Sequence, residues 1–277
     1  QGSAERIGHA VAGLATAFED VRLFPMAERA NTVGTLLTGM APTLLPGIRS
    51  VNDAKARAEI ESVLGSPSPE LPGKSWDTIF SRGDIKALYV MGEDLIDSAP
   101  DPDGIREALR ACELLVVQDI FMSPTAEVAD VVLPGTSFAE KQGHFTNFEG
   151  RLVPIAPAII PVGDARPDWE IIARLAAALG KDFGWRTTEP ISDELAQLWR
   201  EPDIQAGTPI ETINVPERPG IGTDTFVLSA EQHLYTAGAT GRRAPSLACM
   251  LPEAVAELNP DDATRLNVTN GDPISLA

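Results

Sequence analysis

Three short groups in this chain place carboxylates, an amide or hydroxyls directly after an apolar run: Gly92-Glu93-Asp94, Gln118-Asp119 and Gly135-Thr136-Ser137. An aspartate so placed, as Asp119 is, can accept hydrogen bonds from ribose hydroxyls, as acidic residues do in other dinucleotide sites. Glycine there lets backbone approach a phosphate. Two adjacent carboxylates repel one, so Glu93 and Asp94 suit a sugar or a base better than a pyrophosphate. An ordinary acidic strand-to-loop turn accounts for Gly92-Glu93-Asp94 as well, and Asp119 equally suits a cap on the short helical SPTAEVA stretch behind it.

Other chemistries find little material. His9, His144 and His233 share no ligand spacing, and Cys112 and Cys249 lie far apart with no CxxC pair. The chain therefore offers neither a zinc site nor an iron–sulfur ligand set, and no nucleophile–base constellation is visible. The expectation is no bound iron, zinc or molybdenum. A net charge of −18 argues against nucleic acid, whose phosphates need Lys and Arg. No apolar run approaches the roughly 18 residues of a membrane helix, and no basic-then-apolar leader opens the sequence, so direct membrane insertion is not expected.

The elements that must position the three groups are legible in order. Ala87 to Met91 and Leu114 to Val117 are apolar on both faces, which suits parallel strands covered by helices. Between them Ile105, Ala108, Leu109 and Cys112 recur three and four apart, predicting a helix over Asp103 to Cys112 behind a capping Pro-Asp-Pro-Asp-Gly lead-in. Val131 to Leu133 supplies a third strand, stopped by Pro134-Gly135. The result is a βαβαβ unit, in which ligands bind beyond the carboxyl ends of the strands.

Around this unit the pattern predicts a helix over Ser3 to Phe18 that covers a sheet, and a strand over Val21 to Phe24. A loop-rich path follows through Gly34, Gly39, Pro42, Pro46 and Gly47, then a helix over Val51 to Leu64 and a short one over Trp76 to Ser81. Phe145 to Ile159 reads as a hairpin turning at Glu149-Gly150. Asp164 to Gly180 is a helix with Trp169, Ile172, Leu175, Ala176 and Leu179 on its inner face, and Asp193 to Arg200 a shorter one. A Pro/Gly-rich stretch then separates a region of different character, with a helix over Asp261 to Leu266, a turn at Asn270-Gly271 and a closing strand.

The segments ALYVMGED, LLVVQDIFMSPTAEVADVVLPGTSFAEKQGHFTNFEGR and DARPDWEIIARLAAALG resemble the molybdopterin oxidoreductase family, with weaker similarity from about Asn31 to the C-terminus. The resemblance implies a mainly parallel, Rossmann-like α/β sheet with helices on both faces, plus the start of a C-terminal β-barrel. It divides the chain into an α/β domain over 1–205 that begins mid-domain, a linker over 206–224 and a truncated barrel over 225–277. It also implies cofactor-binding roles. Gly92, Glu93, Asp94, Gln118 and Asp119 lie where members contact a pterin guanine dinucleotide, Lys141 matches a lysine that reaches the cofactor, and Asp168 a guanine-contacting aspartate. Arg242 and Arg243 match a dinucleotide-contacting element. For Asp168, helix capping is the competing role.

Two readings follow from the resemblance. TNFEGR is similar to the Thr-Asn-x-Glu-Gly-Arg of the large subunit of bacterial NADH-quinone oxidoreductases, where formate dehydrogenases usually have Thr-Asn-x-Glu-Arg-Arg. Aligned on Gly34, the arginine that formate dehydrogenases carry at the substrate falls on Ala27, and Arg29 is two residues out of place. The leading expectation is therefore a fragment that serves as scaffold in electron transfer from NADH to quinone. It would have no cofactor of its own, iron–sulfur clusters upstream and other subunits of a redox complex as partners. It would be cytoplasmic and peripheral to the inner membrane through those subunits. The other reading is a fragment of a molybdopterin-dependent oxidoreductase such as formate dehydrogenase, binding the guanine dinucleotide of a molybdopterin cofactor in the full-length protein.

Overall fold

Residues 11, 13, 29–80, 85–198, 238–248, 250 and 255–275 are described in the computed structural model of this chain. The polypeptide divides into two compact units, Gln1–Val215 and Pro216–Ala277. Apart from Val11 and Gly13, the expected helix over Ser3 to Phe18 lies outside the described residues, as do the strand over Val21 to Phe24, Ala27 and the Pro/Gly-rich stretch.

In the first unit the elements run α1 (Thr32–Leu37), β1 (Leu44–Leu45), β2 (Arg49–Ser50), α2 (Ala54–Leu64), α3 (Trp76–Ile79), β3 (Ala87–Met91), α4 (Leu95–Ser98) and α5 (Pro102–Arg110). They continue with β4 (Leu114–Asp119), a 3-10 turn (Ala126–Val128), β5 (Val131–Pro134), β6 (Gly143–Thr146), β7 (Leu152–Ile155), α6 (Asp168–Ala178) and α7 (Glu189–Leu198). The second unit contains α8 (Gly238–Arg242), α9 (Pro245–Ala248) and α10 (Pro260–Arg265).

The three apolar runs form one parallel sheet in the order β3-β4-β5, as expected of strands joined by crossovers. Val90 stands opposite Val117 and Leu88 opposite Leu115, so these residues share a face. That face is packed by Leu95 and Ile96 of α4, Leu109 of α5 and Ala126 of the 3-10 turn, all buried. On the other face Tyr89, Met91, Leu114 and Val131 remain 38 to 43% exposed. The β4–β5 register is fixed by a side chain as well as the ladder: the Asp130 carboxylate accepts the Leu115 amide at 2.7 Å while the Asp130 amide donates back to the Leu115 carbonyl at 2.9 Å.

α5 starts where its lead-in predicts, with the Asp101 carboxylate accepting the Gly104 amide at 3.0 Å. α2 starts three residues later than Val51 because Asp53 caps it, accepting from the Lys55 and Ala56 amides. Val51, Ala56 and Ile60 then form a second core with Leu45 and Leu198. β6 and β7 pair antiparallel, with the chain turning at Asn147 to Arg151, so the expected hairpin is present.

Three expectations differ. The path near Gly34 holds a helix, α1, because the Asn31 carbonyl accepts both the amide and the hydroxyl of Thr35, each at 2.9 Å. α6 begins at Asp168 rather than Asp164: Pro167 drives the preceding residue out of the helical region, and Arg166 instead bridges Gly135 in parallel, its amide donating to the Pro134 carbonyl at 3.0 Å. The buried residues of α6 are Ile171 and Ala173, whereas Ile172, Leu175 and Leu179 of the expected inner face are exposed. Asp168 is tied inward at the first turn and sets the rotation of the whole helix, carrying Ile171, three residues on, to the same side. The strand expected after Gly271 is not formed over 272–275. The Asp272 carboxylate closes a turn on the amide and hydroxyl of Thr269, and no closed barrel is present among the described residues.

A candidate site at the strand ends

The carboxyl ends of the three strands are stitched to one another. The Gly92 amide donates to the Gln118 carbonyl at 2.8 Å, and the Gly135 amide to the Asp119 carbonyl at 2.9 Å. Gly92 leaves the sheet in the left-handed region, φ 66°, with open space where a Cβ would stand, so backbone is accessible there.

The acidic side chains after Gly92 part company. Asp94 is buried; its Oδ1 accepts the Thr125 hydroxyl at 2.7 Å and the amides of Thr125 and Asp97 at 3.3 Å. It caps α4 and fastens it to the loop before the 3-10 turn, a structural duty. Glu93 accepts the Ser98 hydroxyl at 2.5 Å and stands 4.0 Å from the Arg29 guanidinium. Arg29 is thus occupied by Glu93 at the rim. Asp119 accepts the amides of Ile120 at 2.6 Å and Phe121 at 3.2 Å, which shapes its own turn and not the SPTAEVA stretch.

Gln118 is the most enclosed of the expected site residues, at 1% exposure, and both ends of its amide are used. Oε1 accepts the Tyr89 hydroxyl, and Nε2 donates to Asp168 Oδ1 at 2.7 Å. The other oxygen of Asp168 accepts from the Lys141 ammonium. One continuous polar chain therefore runs Tyr89, Gln118, Asp168, Lys141. Burial, and after it the negative charge of Asp168, push the Tyr89 phenol above the ordinary tyrosine value of 10.0. Gly135 admits the Asp168 carboxylate, since a Cβ there would lie 3.3 Å from Oδ1.

Thr136, at 2% exposure, has a buried hydroxyl without a hydrogen-bond partner, and the Ser137 amide donates to Glu140 Oε2 at 2.8 Å. Arg242 and Arg243 belong to the second unit, both exposed.

Sequence reading missed Tyr89. The available signal was parity: Tyr89 stands opposite Val116, two residues from Gln118 on the same face, so two polar-tipped residues share a face of otherwise apolar strands.

Lys141 and Asp168 also reach a second feature. A cleft of about 840 Å³ lies between α1, the β6–β7 hairpin, the start of α6 and α7. Its walls combine Asn31, Thr35, His144 and Asp193 with Met40, Leu152 and Trp169, and among the described residues Lys141 is the one Lys or Arg that lines it. Gly92, Glu93, Asp94, Gln118 and Asp119 do not line it. Among the described residues no group of His, Cys, Asp or Glu could hold a metal ion, and no helix is long and apolar enough to cross a membrane.

The family model for molybdopterin oxidoreductase matches residues 12–178, more than half of the chain. The NADPH-Fe(3+) oxidoreductase subunit alpha of Geobacter sulfurreducens is 33% identical over 278 aligned positions, covering 95% of this chain and 32% of that protein. The F420-dependent formate dehydrogenase subunit alpha of Methanocaldococcus jannaschii is 31% identical, covering 91% of this chain and 43% of the relative. The F420-dependent formate dehydrogenase 2 subunit alpha of Methanococcus maripaludis is 28% identical, with 91% and 44% covered. The chain thus spans a third to under half of the length of these relatives.

Proposed function

The chain belongs to the molybdopterin oxidoreductase family, and from that premise we propose that it forms an α/β scaffold lobe in the large subunit of a multi-subunit oxidoreductase. That subunit would move electrons from a reduced nicotinamide, NADH with quinone as acceptor being the specific case. The observation that carries the reading is the closed polar chain at the strand ends. Gln118 spends its amide on Tyr89 and Asp168, and Lys141 is neutralised by Asp168. TNFEGR and Ala27 support the same direction, as does a nicotinamide donor in the name of a relative. Iron–sulfur clusters elsewhere in the subunit and partner subunits that hold it at a membrane belong to the proposal.

A guanine dinucleotide needs donors for its phosphates and open acceptors for its base. The residues present do not fit it in this arrangement, because the expected phosphate donor and the expected guanine contact already bond each other. A ligand would have to break those bonds before making its own, against an association cost of roughly 4 to 15 kcal/mol.

The rival reading, a molybdopterin-dependent enzyme of the formate dehydrogenase kind, draws on two relatives of that name and on the cleft beside Lys141. Calorimetry of the 277-residue chain with GDP separates the two. No heat in the micromolar range is expected. Micromolar affinity that disappears in Asp119→Ala would overturn the scaffold reading.

A further inference from the structure

Tyr89 lies within the ALYVMGED segment without a role assigned to it there, and its hydroxyl donates to the Gln118 amide oxygen. An amide has a donor end and an acceptor end, so whichever group meets one end decides what the other presents. Tyrosine in its neutral form donates to Oε1, and Nε2 is thereby turned toward Asp168, which it meets at 2.7 Å. Were that donor absent, Asp168 alone would hold the amide in this orientation, leaving the Gln118 side chain with one anchor instead of two.

The consequence reaches Lys141. Asp168 is held at Oδ1 by Gln118 and leaves Oδ2 for the ammonium, whose side chain keeps 23% of its surface at the cleft. We propose that Tyr89 is a positioning residue which, through the Gln118 amide, holds Asp168 on Lys141 and so keeps this lysine of the cleft lining neutralised against anions of the pyrophosphate class. The inference rests on the scaffold reading and deepens it, for it says what keeps the site shut. The upward shift of the Tyr89 phenol's pKa agrees, since a hydroxyl that stays protonated stays a donor.

The test is titration of the full chain with inorganic pyrophosphate. Wild type is expected to bind weakly, and Tyr89→Phe, which keeps the ring and removes the donor, about twofold to fivefold more tightly, the ratio expected for releasing one partly exposed ion pair. The gain should vanish in Tyr89→Phe combined with Lys141→Gln. Gln118→Met cuts the same connection one residue further on and must give the same gain, which guards against a Tyr89 variant that folds poorly.

A second readout separates positioning from general loosening. In protein carrying 13C-methylated lysines, the Lys141 signal should move in Tyr89→Phe while those of Lys55, Lys74 and Lys181 stay. Unchanged pyrophosphate affinity in both Tyr89→Phe and Gln118→Met, a gain that survives loss of Lys141, or equal movement of all lysine signals would overturn the proposal. Micromolar GDP binding by the wild type is a different failure: it would sink the scaffold reading while leaving the order of the variants to decide the role of Tyr89.

Discussion

Asn31 Oδ1 accepts the backbone amide of Thr146 at 2.8 Å, joining residues 115 positions apart in sequence. The bond holds α1 against β6 and sets one wall of the cleft. Gly34 lies directly beneath it: a Cβ there would fall 2.3 Å from Asn31 Oδ1 and 3.0 Å from the Thr146 hydroxyl. The spacing of Asn31 and Gly34 is thus explained by packing, with the amide side chain filling the space that glycine leaves.

Gly34→Ala should therefore destabilise the first unit by about 1 to 3 kcal/mol, the usual range for overpacking. Asn31→Ala should cost a similar amount, about 1 to 3 kcal/mol, by leaving the Thr146 amide unpaired. The double variant should cost less than the sum, because the added methyl then meets no carboxamide. Chemical denaturation of the three variants checks this, and strict additivity would refute the shared-space account.

The sheet was legible because Ala87 to Met91, Leu114 to Val117 and Val131 to Leu133 are apolar on both faces, a pattern that short surface strands do not show. The phase of α6 was not. Periodicity favours Ile172, Leu175 and Leu179 as the inner stripe, but an anchored Asp168 and the constraint of Pro167 outweigh it. The candidate site divides in the same way. Gln118, Asp168 and Lys141 could each be picked out by resemblance, yet their mutual engagement joins residues 118, 168, 141 and 89. No local pattern records which of these meet.

Ionisation of Tyr89 should report the charge of Asp168. The chain has two tyrosines, so a Tyr235→Phe background leaves one phenol to follow by its phenolate absorbance. It should titrate above 10.0, and Asp168→Asn should bring it down by removing the neighbouring negative charge. The folded state holds this proton longer than the unfolded one does. Stability from Tyr89 is accordingly complete below the unfolded tyrosine value and declines as pH rises through the folded value. A titration indifferent to Asp168→Asn would break the link between them.

Glu140 makes the opposite case. Hydrogen bonds from Ser137, at 2.8 Å to the backbone amide, and then from the Val162 amide at 3.1 Å hold its carboxyl below the ordinary glutamate value of 4.5. Its contribution is present above the unfolded value and lost as pH falls through the folded one. The amide signals of Ser137 and Val162 should move together in an acid titration, with an inflection below 4.5. Separate inflections would show that Glu140 does not join the two segments.

The bridge between Gly135 and Arg166 constrains how the polar chain could ever come apart. Arg166 is bonded into the edge of the sheet only two residues before Asp168, so the first turn of α6 and the end of β5 move as one rigid piece. Swinging the helix as a rod would tear a backbone bond before it lengthened any side-chain contact. What remains is rotation about the torsions of Lys141, whose side chain keeps part of its surface exposed. Departure of the lysine is thus a local rotameric event, and its frequency is set by how firmly the carboxylate holds it rather than by the stiffness of the fold.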